Sequence, residues 1–535
     1  MTEAADLLLT NAAVHTLADP DRLREAVAIR DGEIVRVGRT YEVEFLEGVE
    51  TDRIDCEGRT LLPGFVDAHT HMEQLGQHLV HADLSAAASA EECIDLLAEH
   101  AATDPDREWI LGFGYDESEW DDPRKLVRDD LDAVSEERPV VAMRVDLHTA
   151  SLNSVALDRL GDEMPDADLG FDGGKPTGVA VENAAEVVRR EIAADRAEMR
   201  EAIAAAAARA VSLGVTGVHD KVRDSGAPRV YRELAAAGDL PLRVRIDYWS
   251  DHLDALAEVG LATDTEGGSD ESFVQTGAIK SFSDGSIGSE TAKLLEPYVG
   301  GDGTDGGAAT GDTGGASGDE DENRGQWVVD PDDLAAIVDR AAAEGFQLSV
   351  HAIGDEAIEE TLSALEETPA PGAARHRIEH VELATDEHFD RMADAGIVAS
   401  MQPNFHRWAG EGGLYDQRLG VERRKRTNRF RDALDRGVPL AFGSDGMPLD
   451  PLYGVHHAVN ASEPSQRLSV TEALRAYTLG AAYAGFDEDR LGTIEVGKRA
   501  DFVVLEESPW DRSGEIDSID VAMTIVDGEV VFDDR

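Results

Sequence analysis

The chain has 535 residues, and its 110 acidic against 49 basic side chains give a formal net charge of −61 at pH 7. A surface this acidic repels nucleic acids and anionic membranes, so we expect neither as a partner. The length predicts roughly two or three domains, or one large barrel with additions. Because the acidic residues are spread along the whole chain, we expect a protein kept soluble at high salt, as in a halophilic cell.

The cysteines and the amino terminus give an expectation for the compartment. Cys56 and Cys93 are too few for a disulfide framework or a four-cysteine zinc site. The amino terminus lacks the basic region and long apolar core of a signal peptide, and no apolar run approaches the roughly 20 residues that cross a bilayer. We therefore expect a soluble cytoplasmic protein, and we leave open whether it forms a homo-oligomer.

Both ends of the chain consist of short strands that alternate with turns. Residues 6–10 and 26–30 are strands of this kind near the amino terminus, and residues 501–505 and 521–526 are their counterparts near the carboxyl terminus. Each end is too small for a core of its own. We therefore predict that residues 1–60 and 490–535 pair as one small β-sandwich.

Residues 61–489 alternate between strand-like and helix-like patterns, which predicts βα units and a parallel sheet. Eight such units predict an α/β protein with a (β/α)8 TIM barrel, whose active site lies at the carboxyl ends of the strands. Seven of the eight apolar runs are followed by a polar residue that could serve a site, and the remaining run is residues 397–400. The seven polar residues are His69, His219, Asp247, Lys280, His351, His380 and Asp445.

Two segments interrupt this alternation. Residues 72–210 separate the first two barrel units and are too long for one crossover helix, so we predict that they are mostly an inserted α/β subdomain over the barrel mouth. Residues 300–325 are nearly all Gly, Asp, Ala, Thr and Glu and cannot bury apolar area, which predicts a flexible acidic loop. Calcium binding by this loop is the alternative interpretation.

Two histidines follow the first apolar run. His69 and His71 lie two residues apart, so on a strand their side chains project to the same face. Two converging imidazoles can bind one divalent metal ion, and imidazole suits zinc, nickel, iron and copper. His-x-His alone also occurs by chance on surfaces, but six suitable residues at the same end of five strands favour a metal site. They are His69, His71, Lys280, His351, His380 and Asp445.

This set of residues resembles that of the amidohydrolase superfamily, which also shares the composite β-sandwich and the barrel. Within the superfamily the chain is similar to YtcJ-like hydrolases, a branch that includes N-substituted formamide deformylases. Residues 112–116, 280–289, 351–355 and 443–445 carry this closer resemblance. The chain departs from the branch at Asp146-Leu147-His148, where Asp-Gly-His is expected, and this weakens inference about substrate contacts near His148.

The resemblance implies a metal centre and a reaction. His69, His71 and Asp445 would hold one ion, His351 and His380 a second, and Lys280, carboxylated on Nζ, would bridge both. A hydroxide between the ions would be the nucleophile, because metal binding brings the pKa of a water towards about 7. Asp445 would be the catalytic residue that takes the proton of the water and returns it to the leaving amine. The implied enzyme hydrolyses a non-peptide C–N bond, an amide or N-formyl group, of a small molecule.

Two alternatives stay open at this point. A deaminase of an amidine or ring amine would use one metal ion and no bridging carbamate. A catalytically inactive family member would act as a binding protein, although the intact set of ligand types argues against this. We expect zinc, but histidine sites also accept iron, manganese or nickel.

Four further polar residues are candidate substrate-binding residues. His219 follows the second predicted strand and Asp284 follows Lys280 by four residues, while Asp116 and His148 lie in the insertion. Capping of a strand end, or support of a metal ligand, are alternative roles for His219 and Asp284.

Overall fold

The fold is described from a computed structural model, which describes residues 3–145, 148–223, 226–265, 272–299 and 323–535. They form two compact units: one combines the chain up to His71 with Ala207–Arg535, and the other is Met72–Ala206. Most of the predicted acidic loop at 300–325 lies outside the described residues, and so do Asp146 and Leu147.

Eight parallel strands form the barrel, and their order in the sheet follows their order in the chain. The backbone N–H of Asp445, after the last strand, donates to the carbonyl of His69 at 2.7 Å, so the last strand lies beside the first. This confirms the predicted (β/α)8 barrel. The strands are Phe65–Thr70, Val215–Val222, Arg243–Trp249, Val274–Phe282, Leu348–Ala352, Arg377–His380, Val398–Met401 and Leu440–Phe442.

Three barrel strands are longer than the sequence predicts. The second runs past His219 to Val222, the third runs through Asp247 to Trp249, and the fourth runs through Lys280 to Phe282. The sequence predicts that the apolar runs end before these polar residues, whereas the strands continue through them. Alternate residues of a barrel strand face the interior, where polar side chains can be paired with one another, so charged residues there do not end the strand.

Helices separate most of the barrel strands, as βα units require. Several begin at side-chain caps; Asp330 caps the helix that starts at Pro331, and Ser469 forms a capping box with Glu472. The α-helices of this unit that follow the second strand are Ala227–Ala237, Leu253–Glu258, Pro331–Ala343, Asp355–Glu366, Pro371–Ala374, Asp386–Ala395, Leu414–Leu419, Val421–Arg424, Phe430–Asp435, Pro451–Val459, Val470–Arg475 and Ala481–Ala484.

The β-sandwich joins the two ends of the chain, as predicted. Strand Phe502–Leu505 pairs antiparallel with Thr60–Pro63, so both ends contribute to one sheet. In sheet order, the six-stranded sheet is Glu529–Asp533, Val521–Val526, Phe502–Leu505, Thr60–Pro63, Ala13–His15 and Leu23–Arg24, and the four-stranded sheet is Glu33–Gly38, Ala26–Arg30, Leu7–Thr10 and Asp52–Asp55. Side chains from both ends, including Leu9, Val27 and Phe502, form one apolar core, and helix Thr40–Glu44 completes this region.

The second unit is an α/β insertion between the first two barrel strands. Its six-stranded sheet has the order Leu169–Asp172, Lys175–Val181, Thr149–Leu152, Val140–Arg144, Ile110–Tyr115 and Ala82–Asp83. The last three strands pair in parallel and the others antiparallel. Its helices are Met72–Val80, Ala90–Thr103, Arg128–Asp132, Ser154–Leu160 and Glu182–Glu191, and Arg196–Ser212 leads back to the barrel.

None of the helices in the described ranges is long and apolar enough to cross a membrane.

Candidate metal centre

Three of the predicted ligands meet at one point at the carboxyl end of the barrel. Ligand atoms of His69, His380 and Asp445 all lie within 4.8 Å of one another. Oδ1 of Asp445 lies 3.4 Å from Nε2 of His69 and 3.1 Å from Nε2 of His71. The structure therefore groups His380 with His69 and Asp445, whereas the sequence expectation assigns His380 to a second ion.

His351 extends this group on the far side of His380. The ring centroids of His351 and His380 are 4.4 Å apart, and those of His380 and His69 are 4.9 Å apart. Together with His71, the four histidines form a continuous cluster around the carboxylate of Asp445. An arrangement of imidazoles and one carboxylate is a donor set that suits a divalent metal ion such as zinc.

Hydrogen bonds fix the orientation of three of these imidazoles. Nδ1 of His69 lies 2.7 Å from Oε2 of Glu379, and Nδ1 of His380 lies 2.7 Å from Oε1 of Gln402. Nε2 of His351 lies 2.9 Å from the carbonyl of Gly285. Each acceptor accepts a hydrogen bond from one ring N–H, so the other ring nitrogen keeps the lone pair that a metal ligand requires.

The protonation states also suit metal binding. Burial lowers the pKa of His380 to about 4 and lowers the pKa of His69 and His351 well below the usual value, so the three rings are neutral. Burial alone would raise the pKa of Asp445, but His69 and His71 beside it hold that pKa well below its usual range. Neutral imidazoles and an ionised carboxylate are the ligand forms of these side chains.

The amine of Lys280 is buried. Its side chain is among the largest fully buried ones, and within the described part of the chain its Nζ has no hydrogen-bond acceptor. Nζ lies 4.6 Å from the centroid of the Phe282 ring, and burial lowers the pKa of the amine to about 7. Burying an amine without a hydrogen-bond acceptor costs folding free energy. Lys280 is therefore a candidate for a side chain that binds or reacts with a further group.

The backbone is strained at two of the candidate ligands and at one neighbouring residue. His380, Val381 and Asp445 have positive φ angles of 72°, 53° and 56°, which residues other than glycine rarely adopt. Strain of this kind persists where the surrounding structure fixes a functional geometry. Gly443 is required nearby, because a Cβ at this position would collide with the backbone nitrogen of His69.

Comparison with known proteins identifies the family. The profile of the amidohydrolase family matches residues 52–532. The chain belongs to the amidohydrolase family. This amidohydrolase is 29% identical to the YtcJ protein of Bacillus subtilis (strain 168), covering 97% of this chain and 98% of the relative. It is 27% identical to an N-substituted formamide deformylase of Arthrobacter pascens, covering 100% and 99%. These matches confirm the resemblance that the sequence predicts.

A solved structure extends this similarity to the fold. The crystal structure of an uncharacterized metal-dependent hydrolase from Pyrococcus furiosus is 30% identical and superposes with a TM-score of 0.77. The match covers 94% of this amidohydrolase and 99% of the other chain. The likeness therefore includes the barrel, the composite sandwich and the insertion.

Below the ligands, the barrel of this amidohydrolase holds a buried charge network that the sequence analysis missed. Arg377 lies 2.9 Å from Glu379 and 3.7 Å from Asp247, and Lys221 pairs with Asp247 and lies 4.0 Å from Glu379. The two positive and two negative side chains neutralise one another, which lowers the free-energy cost of burying them. The signal was present in the sequence, since Arg377-x-Glu379 repeats the period-two spacing of inward-facing residues.

Two of the four substrate-binding candidates make internal contacts. Nδ1 of His219 lies 2.9 Å from a guanidinium nitrogen of Arg377 in the buried network. Asp284 accepts backbone N–H bonds from Lys293 at 2.8 Å, Ile353 at 3.0 Å and Gly354 at 2.8 Å. It thereby ties together the loops that follow the fourth and fifth barrel strands. A substrate contact by either residue stays a prediction.

The other two candidates lie in the insertion. Oδ1 of Asp116 accepts hydrogen bonds from Arg144 at 2.9 Å and from the backbone of Ser118 at 3.1 Å. His148 is exposed, and its Nδ1 lies 3.4 Å from Glu182. Their role in substrate binding also stays a prediction.

A cavity of about 230 Å³ adjoins the metal centre. His351, His380 and Asp445 form part of its wall, and most of the remaining wall is apolar, with Ile287, Ile353, Phe405, Trp408 and Met447 among the lining residues. The same wall contains Glu382, whose Oε2 accepts a hydrogen bond from the Tyr415 hydroxyl at 2.6 Å. A mostly apolar wall with a few polar groups is typical of small-molecule sites.

Proposed function

We propose that this amidohydrolase is a metal-dependent enzyme that hydrolyses a non-peptide C–N bond, an amide or N-formyl group, of a small molecule. The observation that carries the proposal is the convergence of His69, His380 and Asp445 within 4.8 Å beside an apolar cavity. The full-length similarity to an N-substituted formamide deformylase supports the choice of a C–N bond.

The proposed centre holds two divalent ions, with zinc the expected metal. His69, His71 and Asp445 would hold one ion, and His351 and His380 the other. Lys280 would join them after its neutral amine attacks carbon dioxide, forming an N–C bond and releasing one proton. The product is an anionic carbamate with two ligand oxygens. The buried and unpaired Nζ supports this role.

The protein groups divide the work of hydrolysis. A divalent ion in such a site lowers the pKa of a water and polarises a carbonyl group. The carboxylate of Asp445 accepts the proton of the attacking water, since it is ionised and faces the ligands. When the C–N bond breaks, Asp445 returns that proton to the leaving nitrogen. The apolar wall around Phe405 and Trp408 orients the substrate and excludes other water.

One observation favours a second candidate function. The closest ligand group combines His380 with His69 and Asp445, which suits one ion as well as two. A centre with one ion fits a deaminase that releases ammonia from an amidine or ring amine and does not need a carbamate at Lys280.

Metal analysis and a substrate panel test both candidates. The protein would be purified with bicarbonate, analysed for metal, and assayed on N-formyl amines, cyclic amides and aminated heterocycles. Two ions per chain, fewer in Lys280→Ala, and release of formate or an amine support the amidase. One ion per chain, unchanged in Lys280→Ala, with release of ammonia supports the deaminase. Metal-loaded protein that converts nothing on the panel supports the inactive binding protein.

We also propose that the protein works in a salt-rich cytoplasm. The charge of −61 supports this, because salt screens the repulsion between acidic groups. Melting temperatures measured from low to molar KCl test it. We expect a continuous rise, and maximal stability at low ionic strength would contradict the proposal.

A further inference from the structure

The three oriented imidazoles have acceptors of unequal strength. His69 donates to a carboxylate, Glu379, whereas His380 donates to the neutral amide of Gln402 and His351 to the backbone carbonyl of Gly285. The distances to Glu379 and Gln402 are both 2.7 Å, so the difference between them lies in charge and not in length.

Hydrogen bonds and ion pairs hold Glu379 in place. Its side chain is completely buried, and its Oε1 accepts a hydrogen bond from the Ser349 hydroxyl at 2.6 Å and forms an ion pair with Arg377 at 2.9 Å. Lys221 adds a second cation at 4.0 Å. These contacts occupy Oε1, while Oε2 faces His69.

Gln402 has no comparable support. It is also fully buried, but its amide nitrogen makes only a long bond of 3.4 Å to the Ser400 carbonyl among the hydrogen bonds of the described residues. A neutral amide draws the imidazole proton less strongly than a carboxylate does. His380 is therefore the weaker electron donor of the two.

The acceptor behind a histidine ligand tunes the metal. A carboxylate on one ring nitrogen raises the basicity of the other nitrogen and fixes the ring in its ligating orientation, and loss of such a partner costs about 10- to 100-fold in metal affinity. The effect acts on the ion that the histidine holds. Two ions in this centre would therefore bind with different strength.

We propose that Glu379 is a positioning residue that makes the His69 and Asp445 side of the centre the tight metal position, filled first, while Gln402 leaves the His380 side weaker and exchangeable. The inference rests on the two-ion centre proposed above, and it does not depend on which bond the enzyme cleaves. It also gives the buried network of Lys221, Asp247 and Arg377 a purpose, since that network holds the carboxylate in place.

Reciprocal variants of the full-length protein test this proposal. The chelated protein would be titrated with Co²⁺, with heat of binding and visible absorption as readouts, both independent of turnover. We expect two steps, the first tighter than the second. Glu379→Gln should weaken the first step about 10- to 100-fold and leave the second unchanged, and Gln402→Glu should strengthen the second step.

Controls separate positioning from folding. Ser349→Ala removes a bond to Oε1 of Glu379 but leaves its bond to His69, so both steps should persist. If Glu379→Gln does not fold because Arg377 and Lys221 lose their counter-charge, Gln402→Glu alone decides, since Gln402 lies outside the network. A single step in the parent protein, or steps that neither variant shifts, would overturn the proposal. Two shifted steps in a protein that cleaves no amide would instead contradict only the proposed function.

Discussion

The β-sandwich and the barrel both have a buried interior, but the side chains that fill the two interiors differ in polarity. The sandwich core consists of apolar side chains such as Leu9, Val27 and Phe502. The barrel buries the ion pair of Arg377 and Glu379 and the unpaired amine of Lys280. Burying charge rarely adds stability, so a region that retains it is shaped by what it binds. We therefore expect substitutions in the sandwich core to change stability, whereas substitutions of the candidate metal ligands should change function.

The largest effect is expected at Asp445. Under the proposed function, Asp445→Asn removes both a metal ligand and the group that moves the proton, so kcat/KM should fall by about 10³-fold or more. Because the side chain packs at the site and not in an apolar core, the melting temperature of the metal-free protein should change little. Steady-state kinetics and thermal unfolding measure the two quantities.

The matched control for Asp445 is Asp330→Asn. This change removes the same charge at the cap of helix Pro331–Ala343, where asparagine caps equally well. Its kinetics should match those of the parent protein. Equal losses in both variants would mean that overall charge, and not the position of Asp445, limits the reaction.

Phe502→Ala tests whether the sandwich core contributes to stability and not to catalysis. The ring is fully buried in the sandwich core, so its truncation should lower the free energy of unfolding by about 3–5 kcal/mol. The folded fraction should keep its kcat/KM. Denaturant unfolding monitored by circular dichroism gives the first quantity. A loss of activity at unchanged stability would contradict the expectation that the sandwich affects stability only.

Two lysines of the barrel should respond in opposite ways. Lys221→Met strips Asp247 and Glu379 of a cation and should destabilise the protein by about 3–5 kcal/mol. Lys280→Met removes an amine that has no hydrogen-bond acceptor among the described residues, and should stabilise the metal-free protein by about 1–3 kcal/mol while it abolishes binding of the second ion. Unfolding of chelated samples and metal analysis measure these effects. A destabilised Lys280→Met would show that this amine supports the fold.

The smallest effect on stability is expected for the ion pair between Arg431 and Glu472. Burial alone would raise the pKa of Glu472, but hydrogen bonds from Arg431 and Ser469 lower it from 4.5 to about 2. The pair therefore stabilises the protein above about pH 4.5, and this contribution is lost as the pH falls through about 2. Glu472→Gln should lose about 1 kcal/mol or less at neutral pH and nothing at the acidic end.

The control for this pH effect is Glu360→Gln, at an exposed glutamate for which the described residues show no ion pair. Its stability should follow that of the parent protein at every pH. If both variants shift alike, general charge repulsion and not the pair with Arg431 explains the change.

The sequence predicts the fold well because the barrel strands are apolar runs with polar ends. The prediction failed at the ends of the second, third and fourth strands, where Lys221, Asp247 and Lys280 lie inside the strands. A single strand does not reveal whether a charge faces water or a partner across the barrel. That depends on residues from distant strands.

In the candidate site, too, the features that depend on local sequence could be predicted and those that depend on distant strands could not. His69, His71 and Asp445 could be selected because their residue types and spacing are those of metal ligands, and their assignment to particular ions stays a prediction. Glu379 has a local signal in the spacing of Arg377-x-Glu379, but its contact with His69 could not be predicted, since the two residues lie 310 positions apart. The grouping of His380 with His69 and Asp445 depends on where the sixth strand ends, and no local pattern encodes it.

The composite sandwich has a consequence for how the protein is made. Strand Thr60–Pro63 pairs with Phe502–Leu505, so an amino-terminal strand emerges from the ribosome long before its partner exists. At about 5–20 residues per second, the wait is on the order of tens of seconds. During that time the edge of Thr60–Pro63 is open to wrong pairing, and the high negative charge of the nascent chain opposes such aggregation. Translation speed and protection of this edge therefore bear on the yield of folded enzyme.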